Sequence, residues 1–185
     1  MLVVFGGVFN PPTLAHYKAA EVVIERLNVD RFVFLPVGLS YELKNVEDDL
    51  HRVNMLKLLA DKLKAEISMV EIESKEYLGT YETLKSMDEP DLKFLIGSDN
   101  LHDLHKWKNA TNLLEEFEFI VLSRNESVED IINSNIFLRD YKDKFIIIDD
   151  FHFDISSTEY KKHLNEKLLL KEVSKYVEMN GLYRR

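Results

Sequence analysis

The sequence predicts a doubly wound α/β domain, whose mostly parallel sheet has five or six strands and carries helices on both faces. Short runs rich in Val, Ile and Phe recur along the chain, and most of them place apolar residues at consecutive positions, as strands buried on both faces do. Between several of these runs, apolar residues recur at helical spacing. Strands that alternate with helices in this way are typical of a parallel sheet covered on both sides.

Six apolar runs are candidate strands, and three longer segments have a helical apolar face. The predicted strands are Leu2 to Phe5, Phe32 to Leu35, Ile67 to Val70, Phe94 to Ile96, Phe117 to Leu122 and Phe145 to Ile148. The helical faces run from Leu14 to Leu27, from Val53 to Leu63 and from Leu168 to Val177, and a short helix is expected around Val128 to Ile132. Gly181 is well placed to take a left-handed conformation after the last helix. In sheets of this kind, ligands bind at the carboxyl ends of the strands near a topological switch.

The bulk composition limits the classes of protein to which the chain can belong. Its 185 residues suit one domain, and no repeat, linker or shift of composition divides residues 1–185. The absence of cysteine excludes disulfides, thiolate zinc sites and cysteine nucleophiles. Because the first residues lack the features of a signal peptide and no apolar run reaches membrane-spanning length, we expect a cytoplasmic protein without a membrane partner. A formal net charge of −9 argues against a general nucleic-acid binder but leaves room for a small anionic ligand.

The stretch GGVFNPPTLAH, residues 6–16, follows the first predicted strand and holds the first candidate site. Gly6 and Gly7 favour a sharp turn or a close approach of the backbone to a ligand, and amides there could face a phosphate. Thr13 is a plausible N-cap for the next helix, and His16 then lies about one turn into that helix, near its positive end. Taken alone, a tight turn with a packed histidine is the simpler interpretation. The stretch matches neither the P-loop nor the dinucleotide-binding fingerprint.

A second polar stretch, ISSTEYK at residues 155–161, has the residue types of a helix N-terminus. The hydroxyls of Ser156, Ser157 and Thr158 can cap a helix or bind an anion, with free amides and a positive dipole behind them. Taken alone, an ordinary N-cap followed by a solvated Lys161 is the simpler interpretation.

Together, the two stretches resemble the signatures of the nucleotidyltransferase superfamily, in the order expected for it. The resemblance implies a Rossmann-like fold, contacts of Thr13 and His16 with a nucleotide triphosphate, and contacts of the backbone from Gly6 to Phe9 with phosphate and ribose. Ala15 stands where the superfamily usually has glycine, and Lys161 stands where it has arginine. Lysine keeps the positive charge but lacks the planar fork that binds phosphate through two parallel hydrogen bonds.

The middle of the chain resembles bacterial nicotinate-nucleotide adenylyltransferases. In FLIGSDNLHDLHKWKN, the matching positions are held by Gly97, Asp99 and Trp107. A carboxylate directly after a buried strand could accept sugar hydroxyls at the edge of the sheet. The flat face of Trp107 suits a pyridine ring, and a pyridinium would gain a cation–π contribution of roughly 0.5–2 kcal/mol. His102 and His105 stand at a spacing that metal ligands can have, but we expect both at the surface.

The resemblance implies a role for each candidate residue. The catalytic candidates are His16, Thr13 and Lys161. The candidates for binding ATP and its phosphates are Gly6, Gly7, Val8, Phe9, Ser156, Ser157, Thr158, Lys44 and Arg124. The candidates for binding the mononucleotide are Asn10, Thr80, Tyr81, Thr83, Gly97, Asp99 and Trp107, and no metal held by protein ligands is expected. From the stretch LHRVNMLKLL we expect core packing for Met55 and at most an indirect role for His51 and Arg52.

The implied reaction transfers an adenylyl group from ATP, with Mg²⁺, to nicotinate mononucleotide, and gives nicotinate adenine dinucleotide and pyrophosphate in NAD biosynthesis. Because the attacking phosphate is already an anion, alignment and charge neutralisation would supply the catalysis without a general base. Three other substrates stay open: nicotinamide mononucleotide, phosphopantetheine or an alcohol phosphate. A nucleotide-binding regulator without turnover is the alternative from another class, and homo-oligomerisation is left open.

Overall fold

The structure, a computed structural model, describes residues 1–38, 46–76, 78–123, 126–151 and 155–184. The strands within these ranges are β1 (Leu2–Gly7), β2 (Arg31–Pro36), β3 (Glu66–Ile67), β4 (Leu92–Gly97), β5 (Glu118–Leu122) and β6 (Phe145–Ile148). They form one parallel sheet in the order β3-β2-β1-β4-β5-β6, which confirms the predicted α/β class. The direction of strand progression reverses between β1 and β4, so this is the topological switch of the sheet.

Nine helices pack around the sheet in the described part of the chain. They are α1 (Leu14–Arg26), α2 (Asp49–Leu63), α3 (Val70–Glu73), α4 (Thr80–Ser86), α5 (Ala110–Glu116), α6 (Val128–Ser134), α7 (Ile136–Arg139), α8 (Ser157–His163) and α9 (Lys171–Met179). The predicted helices at the positions of α1, α2 and α6 are confirmed. The last helix begins later than predicted, because Leu168 lies in a separate 3-10 turn, Glu166–Leu168, and is apolar through packing in the same cluster as Val173. None of the described helices is long and apolar enough to cross a membrane.

The predicted strand from Ile67 to Val70 is wrong beyond its first residue. β3 is an edge strand that pairs with β2 only through Glu66 and Ile67. The N–H of Ser68 then donates a last hydrogen bond to the carbonyl of Phe34, over 2.9 Å. Val70 begins α3 and packs against the core from that helix, so its apolar character reflects burial in a helix rather than strand pairing.

Both faces of the sheet are covered, as the sequence predicts. On one face, α4, α5 and α6 bury apolar side chains that include Leu84, Leu113, Leu114 and Ile131. On the other face, α1 and α2 bury a set that includes Ala19, Val23, Leu56 and Ala60. The far side of α2 packs against α9 in a third cluster, which contains Met55, Leu59, Val173 and Val177, and the predicted core packing of Met55 is confirmed.

The chain reverses after α9 and returns to the turn that follows β1. Gly181 takes the predicted left-handed conformation, with φ of +63°. The N–H of Gly181 donates to the carbonyl of Glu178 over 3.2 Å, and the N–H of Leu182 donates to the carbonyl of Val177 over 3.1 Å. This pair of bonds is a common way of ending a helix at glycine. It brings Tyr183 into contact with the turn between β1 and α1.

Candidate active site

A cavity of about 420 Å³ opens at the carboxyl ends of β1, β2 and β4, beside the topological switch. Its lining comes from the ends of these strands, from α1, α3 and α4, and from the segment after β4. The lining residues are Phe5, Gly6, Gly7, Val8, His16, Leu35, Val37, Glu71, Thr80, Phe94, Ile96, Gly97, Asp99, Asn100 and Trp107. Eight of the candidate residues named from the sequence therefore share one cavity: Gly6, Gly7, Val8, His16, Thr80, Gly97, Asp99 and Trp107.

The two glycines at the end of β1 lie where aromatic rings pack close to the backbone. A Cβ on Gly6 would lie 2.7 Å from Cζ of Phe94, and a Cβ on Gly7 would lie 3.0 Å from Cζ of Phe9. Close packing of the two rings is thus a sufficient reason for the glycine pair, and the contact of their amides with phosphate stays a prediction. The carbonyl of Gly7 accepts from the N–H of Val37 over 3.0 Å, which joins the ends of β1 and β2 at the cavity wall.

Phe9 forms part of the support beneath the cavity. It has a left-handed backbone, with φ of +48°, although it carries a large side chain. Its ring is buried and meets the ring of Phe5 with centroids 5.7 Å apart and the ring of His16 at 5.1 Å. The side chain of Phe9 therefore contacts the core and His16, so a contact with nucleotide would come from its backbone, as the resemblance implies.

His16 is held in one orientation by the start of its own helix. The backbone N–H of Thr13 donates to Nδ1 of His16 over 2.9 Å, and Oγ1 of Thr13 lies 2.8 Å from the same nitrogen. A backbone N–H can only donate, so Nδ1 is an acceptor and the proton of the neutral ring is on Nε2. His16 is one of the residues that line the cavity.

Thr13 contributes to the site through His16. Its side chain is fully buried, and its position as the residue before α1 agrees with the predicted N-cap. The hydroxyl of Thr13 contacts His16, and its direct contact with phosphate stays a prediction.

Hydrogen bonds of Asn10 and Arg52 hold the turn between β1 and α1 in place. Oδ1 of Asn10, a buried residue, accepts from the N–H of Glu47 over 3.2 Å and from the hydroxyl of Tyr183 over 2.8 Å. The buried guanidinium of Arg52 donates to the carbonyls of Val8 and Val37, over 2.6 Å each, and forms an ion pair with Asp49. Asn10 thus contacts protein on this side, and its predicted contact with the mononucleotide stays a prediction. Arg52 contacts the cavity lining only through the carbonyls of Val8 and Val37, which agrees with the indirect role expected from the sequence.

The hydroxyls at the start of α8 have structural partners. Oγ of Ser156 accepts from the N–H of Glu159 over 3.0 Å, as an N-cap does, and Oγ of Ser157 donates to the carbonyl of Pro11 over 2.8 Å. Thr158 and Lys161 are exposed on the same helix. The bond to Pro11 brings α8 against the cavity turn, but these four candidate residues are not part of the cavity lining. Lys44 and Arg124 lie outside the described residues.

Only the first residue of α4 lines the cavity, although three were predicted to do so. Thr80 is that residue. Tyr81 points its hydroxyl at Glu116, 2.5 Å from Oε1, and its ring packs on Phe117. Thr83 is buried and donates to Oε1 of Glu71 over 3.0 Å. Tyr81 directly follows Thr80 and faces a different direction, whereas Thr83, one turn after Thr80, is held inside the protein by its bond to Glu71.

Glu71 is a cavity residue that the sequence reasoning missed. It is a buried carboxylate on α3 and one of two carboxylates in the lining, with Asp99. Its backbone is so close to Gly38 that a Cβ on that glycine would lie 2.1 Å from the carbonyl oxygen of Glu71. Since residues 67–70 were predicted as a strand, the short helix that delivers Glu71 to the cavity was not expected.

Trp107 reaches the cavity from the segment after β4. Its ring packs edge-on against Phe94, with centroids 6.3 Å apart, and Asp99 lines the cavity from the 3-10 turn Ser98–His102. His102 and His105 are exposed, as predicted, and Nε2 of His102 lies 2.9 Å from Oε2 of Glu126. Searched over the described ranges, the chain has no group of three or more His, Asp or Glu side chains that could hold a metal ion.

The sequence matches the model of the cytidylyltransferase-like family over residues 4–163. The chain belongs to this family. Within the family, it groups with the nicotinate-nucleotide adenylyltransferases. An Acholeplasma laidlawii protein named "probable nicotinate-nucleotide adenylyltransferase" is 35% identical over 190 residues, which cover 99% of this chain and 97% of that protein. A Fusobacterium nucleatum protein of the same name is 32% identical, with 96% of each chain covered.

A solved structure has the same fold. The Plasmodium falciparum nicotinic acid mononucleotide adenylyltransferase complexed with NaAD superposes with a TM-score of 0.78. The alignment covers 98% of this chain and 96% of that one, at 22% sequence identity. The Rossmann-like arrangement of this cytidylyltransferase-like chain therefore agrees with that of a solved adenylyltransferase.

Proposed function

We propose that this chain transfers the adenylyl group of ATP to nicotinate mononucleotide, which forms nicotinate adenine dinucleotide and releases pyrophosphate. One observation carries the proposal: a single cavity is lined both by the turn from Gly6 to Val8 with His16 and by Asp99 with Trp107. The first group has the donors that a phosphate needs, and the second has a carboxylate for hydroxyls and an aromatic face for a heterocycle. The names of the full-length relatives support nicotinate mononucleotide as the acceptor.

The donor state of His16 supports a role in charge stabilisation. The 5′-phosphate of the mononucleotide is already an anion, so it can attack the α-phosphorus of ATP without a base. Negative charge then develops on the α-phosphoryl oxygens and on the pyrophosphate that leaves. Because Nδ1 accepts from Thr13, the nitrogen of the neutral ring that can donate is Nε2. A donor fixed in this way needs no reorganisation during the reaction.

The phosphates of ATP would extend from the turn after β1 toward the start of α8. The bond from Ser157 to Pro11 places the two segments side by side, which supports this direction. Thr158 and Lys161, both exposed on α8, would reach the outer phosphates, together with Lys44 and Arg124. Mg²⁺ would enter with ATP, bound mainly by phosphate oxygens and water, as a small hard cation prefers.

The mononucleotide would bind on the side of the cavity opposite the ATP phosphates, between Trp107 and Thr80. The exposed part of the Trp107 ring offers a stacking face to the pyridine, and the edge contact with Phe94 fixes the orientation of that ring. The carboxylates of Asp99 and Glu71 suit sugar hydroxyls, which are donors. We propose that the enzyme acts in the cytoplasm on these small-molecule substrates.

The test is product analysis with a panel of acceptors. The chain is incubated with ATP, Mg²⁺ and, in separate reactions, nicotinate mononucleotide, nicotinamide mononucleotide or phosphopantetheine, and products are identified by mass spectrometry alongside pyrophosphate release. We expect nicotinate adenine dinucleotide as the main product. A faster reaction with another acceptor would replace the proposed substrate. ATP binding without any adenylylated product would instead identify a nucleotide-binding regulator.

A further inference from the structure

The turn between β1 and α1 has a conformation that its own residues do not favour. Phe9 lies in the left-handed region, with φ of +48°, which is costly for a residue with a bulky side chain. Such a conformation persists where the surrounding structure determines it. The ring of Phe9 packs against His16, so the conformation of this turn is transmitted to a residue of the proposed active site.

Hydrogen bonds from distant parts of the chain hold the turn on both sides of Phe9. They are donated by Arg52 to the carbonyl of Val8, by the N–H of Glu47 and the hydroxyl of Tyr183 to Oδ1 of Asn10, and by Ser157 to the carbonyl of Pro11. The bond from Tyr183 joins residues 173 positions apart and is 2.8 Å long. The acceptors are the carbonyls of Val8 and Pro11 and the side chain of Asn10, all of which lie between the end of β1 and the start of α1.

The backbone conformation of the C-terminal residues places the Tyr183 hydroxyl next to Asn10. Gly181 and Tyr183 are both left-handed, with φ of +63° and +62°, and the second value is costly for a residue other than glycine. The ring of Tyr183 packs edge-on against Tyr160, with centroids 5.8 Å apart. Burial raises the pKa of the Tyr183 hydroxyl, so the group remains a donor throughout the neutral range. Two unfavourable backbone positions, at Phe9 and Tyr183, thus meet through Asn10.

We infer that Tyr183 is a positioning residue for the proposed reaction: through its bond to Asn10 it holds the turn that carries the phosphate-facing backbone and supports His16. This inference rests on the proposed function for its effect on turnover, but not for its effect on the turn itself. Without the hydroxyl, Oδ1 of Asn10 loses one of its two described donors, and the turn gains freedom to relax. Groups that must align in the transition state would then be less well placed.

The first experiment measures the turn directly by hydrogen exchange and mass spectrometry on the full chain. In Tyr183→Phe, the amides of residues 6–10 should exchange faster than in the parent. The matched control is Tyr176→Phe, which removes a hydroxyl from the same end of the chain. That hydroxyl bonds to His51, over 3.0 Å, and to Asn54, over 3.1 Å, and not to the turn. Unchanged exchange in residues 6–10 of Tyr183→Phe would overturn the inference whether or not the enzyme is active.

The second experiment measures turnover and apparent substrate affinity. Because alignment matters most in the transition state, Tyr183→Phe should lower kcat by about tenfold with a smaller change in KM for either substrate. Tyr176→Phe should keep the parental kcat. If the hydroxyl of Tyr183 has only a structural role, Tyr183→Phe should lower the melting temperature, as Tyr176→Phe does. Its kcat should then equal that of the parent at temperatures well below the melting temperature, and this result would contradict a positioning role.

A double-mutant cycle decides whether Tyr183 acts through Asn10. If it does, Tyr183→Phe should have little further effect on exchange or kcat in an Asn10→Ala background. Equal effects of Tyr183→Phe in both backgrounds would exclude this route. Asn10→Ala alone removes the acceptor instead of the donor, so it must also accelerate exchange in residues 6–10. An inactive parent enzyme would remove the proposed function, while the exchange data would still decide on the contact.

Discussion

The backbone N–H of Thr13 donates a hydrogen bond to Nδ1 of His16, 2.9 Å away, at the start of the helix that follows β1. This contact decides which nitrogen of the ring carries the proton, and therefore what the ring can do. With Nδ1 used as an acceptor, Nε2 is the donor, which is the arrangement that suits neutralisation of an oxyanion.

Replacement of this histidine tests the role directly. His16→Ala should lower kcat by about 10²–10³, because removing one fixed donor to a developing oxyanion typically costs about 2.7–4 kcal/mol of transition-state stabilisation. The measurement is pyrophosphate release at saturating ATP and mononucleotide. His102→Ala is the control, since His102 is exposed and pairs with Glu126, and it should keep the parental rate. A loss of less than tenfold in His16→Ala would remove the donor role.

Trp107 should affect the mononucleotide and not ATP. Trp107→Ala should lower kcat/KM for the mononucleotide by about 2–30-fold, which corresponds to a cation–π contribution of about 0.5–2 kcal/mol. KM for ATP should stay near the parental value. Trp107→Phe keeps an aromatic face and should recover most of the loss. Because the ring also packs on Phe94, the melting temperature is measured for both variants, and a change in KM for ATP alone would show that the stacking assignment is wrong.

Gly38 should matter for stability because α3 packs directly on it. A Cβ at this position would lie 2.1 Å from the backbone carbonyl oxygen of Glu71, and a backbone atom cannot move aside as a side chain can. Gly38→Ala should therefore lower the free energy of unfolding by about 1–3 kcal/mol. The comparison is Gly181→Ala, whose Cβ would meet no atom within 4 Å, so a loss of stability there reports the left-handed backbone and not a clash. Equal stability of Gly38→Ala and the parent would show that α3 adjusts freely.

Much of the fold followed from local pattern, because a parallel sheet buried on both faces needs consecutive apolar residues in each strand. β1, β2, β4, β5 and β6 each contain or overlap such a run. The prediction was wrong at Ile67 to Val70, where an edge strand of two residues leads into a helix. Whether an apolar run continues as a strand depends on the partner beside it, and a local pattern does not contain that partner.

The cavity was predictable in part for a similar reason. Gly6 and Gly97 lie at the ends of β1 and β4, Asp99 comes shortly after β4, and the carboxyl ends of parallel strands meet at one edge. The directions of individual side chains were not predictable: Thr83 bonds to Glu71 instead of lining the cavity. Contacts between residues far apart in the chain could not be predicted either, and the hydrogen bond between Tyr183 and Asn10 is one of them.

Arg52 should be among the most sensitive positions for stability. Its buried guanidinium is the donor to the carbonyls of Val8 and Val37 and the partner of Asp49. Arg52→Met should lower the free energy of unfolding by about 3–5 kcal/mol, because these groups lose their partner in a site shielded from water. Arg52→Lys should recover only part of this, since an ammonium lacks the fork that reaches two carbonyls.

The matched control for Arg52 is Arg31→Met. Arg31 contacts two carboxylates, those of Glu66 and Glu89, but its guanidinium is exposed at the edge of the sheet. Exposed ion pairs contribute little to the free energy of unfolding, so the melting temperature of Arg31→Met should stay close to that of the parent. Comparable losses in both methionine variants would mean that burial of Arg52 is not what makes it important.

The buried hydroxyl of Tyr183 predicts a dependence of stability on alkaline pH. Burial raises the pKa of Tyr183 above its ordinary value of 10.0, with the nearby carboxylate of Glu47 acting in the same direction. Above about pH 10, the unfolded chain releases this proton while the folded chain keeps it, so the free energy of unfolding falls as pH rises. Below that pH both states are protonated, and the contribution is complete. Tyr183→Phe lacks the phenol, so its free energy of unfolding, measured by guanidinium titration, should fall less between about pH 9 and pH 11 than that of the parent. If the two curves run parallel up to pH 11, the hydroxyl ionises as readily in the folded protein as in the unfolded chain, and its burial against Asn10 does not persist in solution.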